Sequence, residues 1–165
     1  MPDSQTPASP LPIAFWVERQ TDGGFAVASY PARLRRDVRT PGDLPVLVND
    51  LQAALKSNPD DPGTLNDLAW ILAASPIESF RDGKTAFKLA ERLSKIEGET
   101  IQSLDALGTA YAAVGNYKMG AERLERALAM AKAEKAKELI GPLTMRMNFF
   151  KKGRVYSDET IGSDR

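Results

Sequence analysis

The sequence predicts a mainly α fold: a solenoid of antiparallel helix pairs with a small N-terminal β-hairpin arm and a C-terminal capping helix. Three observations predict it. From Asp43 onward, apolar residues recur at helical spacing in segments ended by Gly, Pro, Asn or Asp. Within that region a helix-pair pattern repeats at a fixed offset. Before it, two aromatic and β-branched runs flank Thr21-Asp22-Gly23-Gly24.

Residues 1–11 hold Pro2, Pro7 and Pro10 among Ser and Thr, the composition of a disordered lead. The runs Ile13 to Val17 and Phe25 to Tyr30, joined by Asp-Gly-Gly, predict the hairpin. Pro31 ends it, and a basic, irregular connector with Arg33, Arg35, Arg36 and Arg39 runs to Pro41-Gly42, so residues 12–42 form arm and connector. The helical domain spans 43–152. Its helices are expected at 43–57, 63–74, 83–96, 101–113 and 117–139. Pro45 and Pro62 fall in first turns, where the missing N–H costs nothing, and Asp61, Thr100 and Asn116 are N-caps. Gly141-Pro142 is expected to interrupt the last long helix, because proline lacks the donor and clashes within a helix. A short final helix with Leu143, Met145, Met147, Phe149 and Phe150 then covers the open end of the stack, and 153–165 is a flexible tail.

The repeat rests on register. Leu104, Leu107 and Tyr111 share one helix face, and Gly108 stands where a second helix must come close. Gly115-Asn116 turns the chain, and Leu124, Ala127, Leu128 and Ala131 face back. Gly120, Leu124 and Ala127 each follow an equivalent residue, Ala86, Ala90 and Leu93, by 34 positions. Those three follow Leu47, Leu51 and Ala54 by 39, and Leu107 follows Leu68 by 39. Every pair at 39 straddles Ser75 to Asp82 and no pair at 34 does, which locates a five-residue insertion in one inter-helix loop.

The motifs Leu104-x-x-Leu107-Gly108-x-x-Tyr111 and Leu65-x-x-Leu68-Ala69-x-x-Leu72, with Pro59 closing an upstream half, resemble the tetratricopeptide repeat (TPR) family over residues 43–131. Leu stands in the usual Trp position, Ala69 replaces the first Gly, and the later repeats lack the closing Pro. The resemblance implies about two and a half repeats and a protein-binding scaffold. The stretch Met147 to Tyr156 loosely resembles the tail that follows such repeats in some large bacterial proteins of mixed domains.

Composition bounds the function. Lys+Arg and Asp+Glu are both 22, which argues against bulk attraction to nucleic acid or an anionic membrane. The chain holds no Cys and no His, so thiol and imidazole catalysis and the usual zinc sites are excluded. No apolar run approaches the ~20 residues needed to span a bilayer, and Met1-Pro2-Asp3-Ser4 does not begin a signal peptide. A cytoplasmic protein with no cofactor, no metal and no catalytic residues is expected. The acidic residues fall at caps and on helix faces, and Gly23-Gly24 lacks the Lys-Ser/Thr of a phosphate loop. The Met residues read as core filling.

Candidate partner-binding residues lie beside the core side of each first helix. They are Asn66, Trp70, Ala73 and Ala74 from one repeat, and Gln102, Asp105, Thr109 and Ala113 from the next. A Trp among small and hydrogen-bonding residues makes a floor for a peptide. The competing reading packs Trp70 against the hairpin or the first helix, with residues 12–31 filling the groove. No basic clamp for a C-terminal carboxylate is expected, since Asn66, Trp70, Asp105 and Thr109 occupy its places. The row Lys84, Lys88, Arg92 and Lys95 reads as a solvent face. The expected function is a scaffold that binds a protein or peptide partner. The alternatives are a self-associating structural module or a C-terminal accessory domain of a larger bacterial enzyme.

Overall fold

The computed structural model describes residues 16–19, 25–28, 44–75 and 77–157. Six α-helices dominate these residues: α1 (Leu44–Ser57), α2 (Pro62–Ala74), α3 (Gly83–Glu97), α4 (Ile101–Ala113), α5 (Tyr117–Ala133) and α6 (Lys137–Lys151). Two four-residue strands, β1 (Trp16–Arg19) and β2 (Phe25–Ala28), pair antiparallel with Trp16 opposite Ala28. The segments expected to be a disordered lead, a hairpin turn and a basic connector lie outside the described residues, as does the chain beyond residue 157.

The helix starts follow from their caps. Asp61 accepts from the Thr64 N–H at 2.8 Å, with Pro62 in the first helical position. Asp82 accepts from the Thr85 N–H at 3.0 Å and Asn116 from the Met119 N–H at 3.3 Å. Thr100 and Ser103 cap each other: the Thr100 hydroxyl accepts from the Ser103 N–H at 3.0 Å, and the Ser103 hydroxyl from the Thr100 N–H at 2.9 Å. Orphan backbone donors are thus satisfied at the starts of four helices, α2, α3, α4 and α5.

Each helix packs on its sequence neighbours. In addition α2 touches α4, and α4 touches α6, so alternate helices form one layer. The layer α2–α4–α6 is termed the inner layer, and α3 and α5 the outer one. Leu65, Leu68, Ala86, Ala90, Leu93, Leu104, Leu124, Ala127 and Leu143 fill the space between layers. Small residues set the separation. A Cβ on Gly108 would stand 3.0 Å from the Gly120 carbonyl oxygen, and one on Gly120 would stand 2.8 Å from the Gly108 oxygen. The glycines therefore face each other where α4 crosses α5, as the register of Gly108 implies.

The chain differs from the sequence reading after Ala133. The break falls at Glu134–Ala136, and α6 runs unbroken through Gly141-Pro142. Lys135 takes a left-handed φ of 59°. Its N–H reaches the Lys132 carbonyl at 3.2 Å, and the Ala136 N–H reaches the Ala131 carbonyl at 2.9 Å. This is a Schellman end, the same pattern that Gly115 makes after α4 and Gly153 after α6. A lysine in the glycine's place hides the stop. Pro142 survives because the carbonyl it fails to address, that of Glu138, belongs to the first turn. That turn is already tightened by a Leu139 N–H to Ala136 carbonyl bond of 3.1 Å. Gly141 also lacks the Cβ that makes a residue before proline resist helix. The final helix is consequently 15 residues long, where a short one is expected. Met145 is exposed on it, which corrects its expected place in the core.

The insertion folds into a short 3₁₀ turn, Glu78–Phe80. Asp82 N–H closes back on the Leu72 carbonyl at 2.9 Å, and Arg81 Nε donates to the buried Ser75 carbonyl at 2.6 Å. No described helix is long and apolar enough to cross a membrane.

Candidate functional site

The inner layer brings one residue from each of its helices to a common point. Trp70 comes from α2, Asp105 from α4 and Arg146 from α6. Arg146 Nε donates to Asp105 Oδ1 at 3.0 Å, and Nη2 to Oδ2 at 2.5 Å. This is the forked geometry that a planar guanidinium offers a carboxylate. The same guanidinium stacks near two rings, its Cζ 5.1 Å from the Trp70 centroid and 5.7 Å from that of Tyr156. A cation so placed is drawn to the negative ring faces. Trp70 and Tyr156 lie 6.3 Å apart, and Phe149 meets Tyr156 edge-on at 6.0 Å.

The cluster is dry. Arg146 is 0% exposed, Asp105 2% and Trp70 3%. Burial pushes the Asp105 carboxyl above its ordinary value, and the charge and hydrogen bonds of Arg146 pull it back. Two buried donors in this region, Arg146 Nη1 and Thr109 Oγ1, have no hydrogen-bond partner among the described residues. Thr109 lies one turn after Asp105 on α4.

The expected partner-binding residues fall as follows. Asn66, Trp70, Ala73, Ala74, Asp105 and Thr109 are all buried; Gln102 and Ala113 are half-buried. Trp70 and Asp105 are brought together, but through Arg146. The open floor expected at Trp70 is covered, and part of its cover is Tyr156, which neither reading of Trp70 foresaw. Ala113 serves a different contact: its carbonyl oxygen lies 2.6 Å from where a Cβ on Gly83 would be, at the start of α3.

Arg146 and Tyr156 are the two residues the sequence reading missed. The expected break at Gly141-Pro142 took Arg146 out of register with the helices before it. The signal was present, because Arg146 follows Ala112 by 34 positions and Ala112 follows Ala73 by 39. Arg146 brings a basic group to this region from α6, outside the positions Asn66, Trp70, Asp105 and Thr109 at which no carboxylate clamp is expected, and it is paired with Asp105. Tyr156 was assigned to the flexible tail, yet it is only 8% exposed.

The row Lys84, Lys88, Arg92 and Lys95 is exposed, with Arg92 on Asp60 at 2.7 Å and Lys95 on Glu91 at 3.1 Å, in keeping with a solvent face. Among the described residues no group of three or more acidic, His or Cys side chains could hold a metal ion. No family model matches the chain, and comparison with curated proteins and with solved structures finds no match.

Proposed function

We propose that the chain is a tetratricopeptide-type interaction module that binds a segment of another protein across its inner helical layer. The repeat assignment is supported by the 34-residue register together with the packing of alternate helices into an inner and an outer layer. The binding role is carried by one observation: a buried charge pair, Asp105–Arg146, lies against two aromatic rings where α2, α4 and α6 meet.

Stability alone does not call for such a pair. Replacing a buried ion pair by apolar residues of similar volume is often neutral, or stabilising by about 1–4 kcal/mol. Its presence beside Nη1 and the Thr109 hydroxyl, which have no acceptor among the described residues, suits recognition of a backbone or side-chain carbonyl. Trp70 supplies contact area and Arg146 direction, the residue types that dominate binding energy at interfaces.

The test is affinity capture with the intact protein beside Trp70→Ala, with captured proteins identified and far-UV circular dichroism recorded for both. The expected result is a defined partner that is lost with Trp70→Ala while helicity is kept. A partner set identical for both proteins overturns the proposal. Loss of helicity assigns Trp70 to the core instead, and the same comparison is then made with Thr109→Val.

A further inference from the structure

We propose that Tyr156 and Ser157 are an intramolecular occupant of the Trp70 surface, standing where an extended, aromatic-bearing segment of the partner docks. The inference rests on the reading of the inner layer as a partner site and says what that partner presents.

Helix α6 is stopped cleanly at Gly153, which takes a φ of 65° and closes the Schellman bonds. Beyond it residues 154–157 have no regular structure. Arg154 and Val155 are exposed, with the Arg154 guanidinium over the Phe149 ring at 5.0 Å, and Tyr156 is the one residue of 154–157 that joins the buried apolar cluster. Tyr156 alone turns inward. Its ring meets Trp70, Phe149 and the Arg146 guanidinium. One residue further, Ser157 Oγ lies 3.5 Å from Arg81 Nη2, at the edge of the inserted loop. A short irregular segment held by one deeply seated aromatic residue, with solvated neighbours, is how a linear peptide motif binds a groove. The insertion gains a role by the same geometry. Arg81, at its end, flanks the strap, and Asp82 anchors that end to α2.

The strap and a partner compete by mass action. An intramolecular segment on a short tether acts at an effective concentration on the order of millimolar. If the strap is closed nine-tenths of the time or more, a ligand for the same surface binds roughly tenfold more weakly than to the open face, because its affinity scales with the open fraction.

The test uses the full chain and a labelled, end-blocked peptide of residues 151–157, with binding read by fluorescence anisotropy. The Tyr156→Ala chain is expected to bind this peptide at least tenfold more tightly than the wild-type chain. Tyr156→Phe, which keeps the ring, is expected to resemble the wild type. Equal binding by wild type and Tyr156→Ala, or no binding by either, overturns the proposal. So does loss of helicity in Tyr156→Ala, which would make Tyr156 a part of the core and not a displaceable occupant. The strap and the partner role fail separately. Peptide binding without any Trp70-dependent cellular partner keeps the strap and rejects the partner role. A Trp70-dependent partner with no peptide binding to Tyr156→Ala rejects the strap.

Discussion

Arg146 on α6 holds both oxygens of Asp105 on α4, at 3.0 and 2.5 Å, with neither side chain more than 2% exposed. The bond ties the capping helix to the middle of the inner layer. Removing one partner leaves the other charged and dry. Asp105→Asn is therefore expected to cost about 3–5 kcal/mol, the usual penalty for an uncompensated buried charge. Urea denaturation measures it, and a loss below about 1 kcal/mol would mean that water reaches Arg146.

The crossing of α4 and α5 is set by two glycines. Gly120→Ala puts a methyl group 2.8 Å from the Gly108 carbonyl oxygen, which is backbone and cannot turn aside. The helices must separate, at a cost of about 1–3 kcal/mol. Thermal melts of Gly120→Ala beside Gly141→Ala give the contrast, since a Cβ on Gly141 meets nothing within 4 Å. Gly141→Ala is expected to cost less than Gly120→Ala.

Lys135 bears a conformation that L-residues resist. Its φ of 59° is suited to glycine. Lys135→Gly is expected to raise stability by roughly 1 kcal/mol, the left-handed penalty less the added freedom of the unfolded chain. An unchanged or lowered melting temperature would show that the Lys135 side chain holds the turn by another contact.

The cap of α3 titrates. Hydrogen bonds from the Thr85 side chain and backbone hold the Asp82 carboxyl below its ordinary value of 3.8. The sign follows from linkage. The unfolded chain takes up the proton first on acidification, so the cap's contribution is complete above pH 3.8 and is lost as pH falls through the lowered folded value. A pH series of denaturation curves for wild type and Asp82→Asn is expected to converge at the acid end. Parallel curves throughout would contradict the assignment.

Much of the helical stack was legible in the sequence because caps and small residues are local signals. Asp61, Thr100, Asn116 and Gly108 each announce a structural role within a few residues of themselves. The last third of the layer was less legible. Lys135 ends a helix without a glycine to mark it, and Gly141-Pro142 looks like a stop but lies close enough to a helix start to be tolerated. That one misplacement hid Arg146, and with it the connection between Trp70 and Asp105. Tyr156 was hidden for another reason: it has no periodicity, and its burial depends on a ring contributed 86 positions earlier by Trp70. Trp70 and Asp105 are covered in part by Arg146 of α6 and, for Trp70, by Tyr156, contacts that no local pattern announces.

On the proposed function, the Asp105–Arg146 pair serves recognition and not stability. The most direct measurement replaces both at once, Asp105→Leu with Arg146→Met, which removes the charges and keeps the volume. The double variant is expected to be at least as stable as wild type by urea denaturation and to capture less than a tenth as much of the partner found with the wild-type protein. A double variant that binds that partner as well as wild type does would contradict it.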